Sequence, residues 1–211
     1  SYESDYTKVV IDPVENITSN KEAQQVTSAD QLVSCGYTRQ TTEGPYYVSG
    51  TQELIQGNLN YDNLPGTPLK IAGYVYGSED NSKPLANAKI EIWQADDEGS
   101  YHPESNGNVS SYTEEQLSLR GYVITDSKGY YTFTSIYPGE YTGRARHIHV
   151  RASIDGYTAI VSQIIMSLPG DNTPATTDNI ARALDSKCSA PSITNLNGVD
   201  TGFYSFWLRS N

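Results

Sequence analysis

Residues 69–76 read Leu-Lys-Ile-Ala-Gly-Tyr-Val-Tyr, and residues 88–93 read Ala-Lys-Ile-Glu-Ile-Trp. In the first stretch Leu69, Ile71, Gly73 and Val75 alternate with Lys70, Ala72, Tyr74 and Tyr76. In the second, Ala88, Ile90 and Ile92 alternate with Lys89, Glu91 and Trp93. A period of two sends each set to its own side of a pleated chain, so both stretches read as half-buried strands. Working outward, residues 121–125 and 130–136 flank Asp126-Ser127-Lys128-Gly129, where Asp opens and Gly closes a four-residue type I turn. That is a hairpin. Residues 147–153, 157–166 and 202–208 bring the count to at least seven short strands separated by Gly, Pro, Asn and Asp clusters. The expected fold is all-β, a β-sandwich of about seven or more short strands. Short helices are expected at 113–119 and at 176–184, where Asp178 favours the first turn. Residues 1–40 are polar and lack alternation apart from a weak helical stretch at 20–32, so they read as an irregular N-terminal arm, with 41–211 as the sandwich domain.

Composition narrows the function. Of the 211 residues 36% are hydrophobic and only 18% charged, which argues for a folded chain. Fourteen basic against 25 acidic residues give a net charge of -11, so a phosphate backbone or an anionic membrane surface would be repelled; nucleic acid and membrane are excluded as main partners. The longest apolar run, near 159–168, is about half a membrane span and is interrupted by Ser162 and Gln163. Cys35 and Cys188 are the only cysteines. A bridge between them would close a loop of about 150 residues, worth about 5 kcal/mol in the chain-entropy account. Two N-glycosylation triplets, at Asn16 and Asn108, and a start at Ser1 without methionine fit the same picture. The expected compartment is extracellular, that of a secreted protein.

Seventeen tyrosines against 3 phenylalanines are out of proportion, since a buried phenol needs a hydrogen-bond partner that a phenyl ring does not. His147 and His149 lie two apart in an expected strand. There they point to one face about 6.6 Å apart while Ile148 and Val150 face the core. An isolated His-x-His also suits a strand with two half-exposed imidazoles and no ligand. With Tyr101 and Tyr141 nearby in sequence, two tyrosinates and two histidines would suit ferric iron, because anionic oxygen donors stabilise the trivalent ion. Recruiting His102 instead would make a three-histidine zinc site for hydrolysis.

The run P-L-A-N-A-K-I-E-I-W-Q-A-D-D-E-G-S-Y at 84–101, then Arg120-Gly121, T-D-S-K-G-Y-Y-T-F, Y-P-G-E-Y and R-A-R-H-I-H-V resembles the intradiol ring-cleavage dioxygenases over about residues 42–166. The resemblance implies a non-haem Fe(III) cofactor held by Tyr101, Tyr141, His147 and His149. It implies that Tyr141 leaves the iron when substrate binds, and that Arg144 lies against the bound ring; Tyr141 and Arg144 are thus the expected catalytic residues. It assigns Gln163 to the surroundings of the site and Pro45, Tyr46 and Tyr47, in Glu43-Gly44-Pro45-Tyr46-Tyr47, to the substrate pocket. The implied substrates are small catechols and O2, and the implied product is a cis,cis-muconate, cut between the two hydroxylated carbons. The six-residue gap from Tyr141 to His147 and the lack of a long helical region ahead of the sandwich resemble a secreted branch of the family, and a monomer is expected. Arg146 reads as solvent-facing. Strand and turn motifs of this kind also occur in prealbumin-like and adhesion sandwiches without catalysis, but those modules have no use for Tyr101 or His-x-His.

Overall fold

The structure is a computed structural model that describes residues 35–211. In chain order the strands are β1 (Val48–Ser49), β2 (Pro68–Tyr76), β3 (Lys89–Gln94), β4 (Gly107–Asn108), β5 (Arg120–Ile124), β6 (Tyr130–Ile136), β7 (His147–Ser153), β8 (Ile160–Ile165), β9 (Thr194–Leu196), β10 (Val199–Phe203) and β11 (Phe206–Trp207). One sheet runs β5-β3-β7-β8, antiparallel throughout. The other is centred on β2, which pairs antiparallel with β6 on one side and parallel with β10 and β11 on the other. The inward sets of the alternating strands meet between the sheets. Leu69, Ile71 and Val75 of β2, Ile90 and Ile92 of β3, Phe133 of β6, Ile148 and Val150 of β7 and Ile164 of β8 form one cluster with almost no exposed surface. Each such aliphatic side chain is worth about 1.5–3 kcal/mol of burial, so this layer dominates the stability of the fold. The expected sandwich is therefore what forms.

Several local expectations change. The stretch 202–208 breaks into β10 and β11 because the chain steps inward between them: an ideal Cβ on Gly73 would stand 1.8 Å from the Tyr204 carbonyl oxygen, and the Tyr204 N–H donates to Ala72 O at 2.8 Å. Only glycine admits that approach. Residues 113–119 form a single 3-10 turn, Glu114–Gln116, since Ser118 is drawn into a bridge with His102 and Leu119 turns left-handed at φ 56° before β5. Residues 176–184 likewise hold only a 3-10 turn, Ala181–Ala183, capped by Asp178 Oδ1 on Ile180 N and Ala181 N and ended where Leu184 extends at ψ 149°. The one α-helix among the described residues is α1 (Ser186–Ser189), capped by Asp185 on Lys187 N at 3.0 Å. The weak helical stretch at 20–32 lies outside the described residues. Cys35 and Cys188 are bonded, joining the start of the described chain to α1. Among the described residues no helix is long and apolar enough to cross a membrane.

Candidate functional site

The outer face of the β5-β3-β7-β8 sheet carries the chemistry. Registration aligns Arg120, Trp93, His149 and Gln163 in one row across its four strands, because Trp93 pairs with both Arg120 and His149, and His149 with Gln163. His147 stands one step along β7 on the same face. Both histidines are buried.

Two turns bring the tyrosines over that row. Residues 96–100 fold about Asp96, whose Oδ1 accepts from Glu98 N at 3.0 Å and Ser100 N at 2.9 Å, and deliver Tyr101. The Tyr137-Pro138-Gly139-Glu140 turn delivers Tyr141. The two turns interlock: Gly139 N donates to Asp96 O at 2.7 Å, and a Cβ on Gly139 would lie 2.5 Å from Asp97 O. The backbone of neither turn can shift without the other.

The four candidate donors gather at His147 Nε2. It lies 2.9 Å from Tyr141 Oη, 3.1 Å from His149 Nε2 and 3.5 Å from Tyr101 Oη. His147 Nδ1 donates to Ala145 O at 2.6 Å, which leaves the lone pair on Nε2, facing the tyrosines. The His149 ring lies parallel to Trp93 at 5.0 Å, and its Nδ1 is buried with no protein partner. Burial holds both imidazoles neutral. It presses the His147 pKa down to about 4, reinforced by the Arg144 charge, and that of His149 well below its usual value, reinforced by His147 and Arg144. Burial also pushes the phenols of Tyr101 and Tyr141 up, so each keeps its proton unless a cation stands among them.

That donor set fits a metal. Donor separations near 3 Å are those of ligands each about 2.0–2.1 Å from one ion. Two phenols that ionise only beside a cation, with two imidazoles held neutral, suit a hard trivalent ion. A three-histidine site is not assembled: His102 turns to Asp96, with Nε2 2.7 Å from Oδ2, and among the described residues no three His, Cys, Asp or Glu side chains converge.

The expected surroundings divide. Tyr46 stacks on Tyr101 with centroids 4.5 Å apart, and Pro45 lies exposed in the turn before it. Tyr47 packs on Trp93 at 4.8 Å and donates to the buried carboxylate of Glu91 at 2.7 Å, while Arg151 holds the other oxygen of Glu91 at 3.1 Å. Gly44, at φ 74°, lets the chain cross His149; a Cβ there would be 3.3 Å from His149 Cε1. Arg144 Nη2 donates to Gln163 Oε1 at 2.5 Å and Nε to Asp178 Oδ2 at 2.9 Å. Arg146 is not simply solvent-facing: its Nε reaches both oxygens of Asp171, at 2.9 and 3.1 Å, and Nη1 donates to Pro138 O, because the loops on either side of it need a donor there.

Two contributors escaped the sequence reading of the site. Buried Arg120 donates to the carbonyls of Tyr46, His102 and Pro103, tying the pocket segment to the loop after Tyr101; without a carboxylate beside it, burial brings its pKa down to about 10. A charged residue in the row of Trp93 was the available signal. Asp178 read only as a helix-start residue.

A family profile described as Dioxygenase matches residues 42–208. Catechol 1,2-dioxygenase 2 of Acinetobacter lwoffii is 32% identical over 158 residues, covering 64% of this chain and 53% of that protein. Catechol 1,2-dioxygenase of Acinetobacter baylyi is 31% identical over 167 residues, covering 69% of this chain and 50% of that protein. The chain thus spans about half the length of the curated relatives it matches. Among solved structures, the dioxygenase domain of a dioxygenase–carbohydrate-binding fusion from Streptomyces sp. SirexAA-E is 29% identical with a TM-score of 0.66, over 83% of this chain and 99% of that one.

Proposed function

Because the chain belongs to the intradiol ring-cleavage dioxygenase family, we propose that it opens catechols between their two hydroxylated carbons with O2, using ferric iron held by Tyr101, Tyr141, His147 and His149. The observation that supports this most is the convergence of three donors within 3.5 Å of His147 Nε2. Bound ferric iron would supply a Lewis acid that favours the catechol dianion and makes its ring reactive towards O2.

The protein residues divide the remaining work by burial. Tyr101 is 4% exposed and pinned between Tyr46 and the interlocked turns, so it stays in place. Tyr141 is only partly buried, and its backbone is held by a short turn to Arg144. It is the phenol free to swing out and accept at Oη one proton of the incoming diol. Arg144 sets a fixed positive charge against the ring, where electron density rises as bonding to O2 begins. Tyr46 gives the ring a flat wall. Trp93 and the 42–46 segment keep water from His149.

The secreted setting belongs to the same proposal, and the Cys35–Cys188 bridge supports it, since such bonds persist in oxidising compartments. The deciding experiment is turnover of catechol by iron-loaded protein under isotope-labelled O2. The expected product is cis,cis-muconate carrying the label, apart from what exchanges with water during hydrolysis. A yellow hydroxymuconic semialdehyde, or unlabelled muconate, would overturn the reading.

A further inference from the structure

Arg144 stands on a tight loop rather than in a strand, and a long arginine side chain gives up much rotamer freedom when fixed. Something must hold it. Its guanidinium bonds to two side chains, Gln163 and Asp178, and Asp178 comes from a distant segment and is fully buried. The two oxygens of Asp178 serve different ends. Oδ1 accepts from Ile180 N at 2.8 Å and Ala181 N at 3.2 Å and so caps the local turn. Oδ2 accepts from Arg144 Nε at 2.9 Å and Ala145 N at 2.8 Å. The next residues of that same loop lead to the metal donors: the Ala145 carbonyl takes the Nδ1 proton of His147 at 2.6 Å. One carboxylate oxygen therefore holds both the arginine and the N–H of Ala145, the residue whose carbonyl orients the His147 ring.

We propose that Asp178 is a positioning residue for ring cleavage, acting through Arg144 and, by way of the Ala145 backbone, through His147. This rests on the function proposed above. The purely structural alternative confines Asp178 to capping the turn at 180–183, and the two readings part on Oδ2. Asp178→Asn keeps an acceptor for the turn and places an amide N–H2 where Arg144 Nε–H and Ala145 N–H already donate, so the arginine loses its carboxylate anchor and keeps only Gln163.

The test is a double-mutant cycle on iron-loaded protein with catechol, comparing wild type, Asp178→Asn, Arg144→Ala and the pair. Asp178→Asn is expected to lower kcat about ten- to a hundredfold while keeping most of its iron, and to add less than about threefold when Arg144 is already alanine. It should also weaken binding of 4-nitrocatechol, read from the colour of the bound catechol without any turnover, and this loss too should vanish in the Arg144→Ala background. Full multiplicativity of the two substitutions, or unchanged kcat and 4-nitrocatechol affinity in Asp178→Asn, overturns the proposal. If Asp178→Asn fails to accumulate, Arg144→Ala alone still decides. Its slot retains the Asp178 carboxylate, so millimolar guanidinium should restore part of the lost rate and ammonium should not; no guanidinium rescue overturns the proposal. A wild type that binds iron and 4-nitrocatechol but leaves catechol intact would reject the proposed function instead, and the binding cycle would still judge Asp178.

Discussion

Replacing Gly44 by alanine probes how closely the pocket segment rides over the metal donors. Gly44 has φ 74°, and an added Cβ would stand 3.3 Å from His149 Cε1 and 3.7 Å from Nε2. An L-residue in the left-handed region costs about 1–2 kcal/mol, offset by about 0.4–1 kcal/mol from the stiffer unfolded chain. The net loss is about 1 kcal/mol, or about 2–4 °C in Tm for a domain of this size. The contact adds a second effect. At 3.3 Å the 42–46 segment must retreat by a few tenths of an ångström from His149, taking the Tyr46 wall with it. Misplacement of 1 Å can cost about a hundredfold in rate, so a retreat of this size should cost severalfold in kcat/KM for catechol. Gly170 supplies the control: it has φ 85° with nothing within 4 Å of its would-be Cβ. Calorimetry and steady-state kinetics on both variants separate the two effects. Both should lose about 1 kcal/mol, and only Gly44→Ala should lose kcat/KM. Equal kinetics in the two variants would refute the claim that the segment is packed on His149.

The two phenols should part on substitution: Tyr101→Phe is expected to lose iron or its visible absorption, whereas Tyr141→Phe keeps iron and loses turnover, and unimpaired activity in both would remove them from the site. Titration of unfolded, non-reduced protein should find no free thiol, and the Cys35→Ser, Cys188→Ser pair should cost up to about 5 kcal/mol by urea unfolding; an unchanged urea midpoint would deny the bridge any stabilising role. Acid should act through His147, whose folded pKa is depressed to about 4. In iron-free protein the stability this neutral imidazole brings is present above about pH 6.5 and is lost as pH falls towards 4, because the unfolded chain binds the proton first. Urea midpoints across that range, compared with His147→Gln, check this; identical slopes would count against it.

The sandwich was legible in the sequence because its central strands separate apolar from polar residues at every second position, as at 69–76 and 88–93. The short pieces were not. β9 has three residues and no buried pattern, and the break after β10 depends on a carbonyl reaching Gly73, a contact between segments far apart in sequence. The helical readings at 113–119 and 176–184 rest on local propensity, which yields where tertiary bonds claim the chain, as the bridge from Ser118 to His102 does, or where the next residue extends, as Leu184 does. At the site, Tyr101, Tyr141, His147 and His149 were nameable through the resemblance to the dioxygenase motifs, but their convergence depends on two turns interlocking through Gly139 and Asp96. Residues that act at one remove carry no motif. Arg120 and Asp178 speak mainly to backbone groups, and backbone partners leave no trace in composition.

Strand β7 interleaves donors with core: His147 and His149 face outward, Ile148 and Val150 inward, all buried. A slip of one residue against β3 or β8 would swap the two sets, putting imidazoles into the aliphatic layer and isoleucine among the tyrosines. Correct pairing and assembly of the proposed iron site are therefore one event. The colour that ferric tyrosinate imparts would report, in intact cells or crude lysate, the fraction of chains whose sheet has closed in proper alignment. Libraries randomised at Ile90, Ile92, Val150 or Ile164 could accordingly be sorted by eye for foldability before any protein is purified.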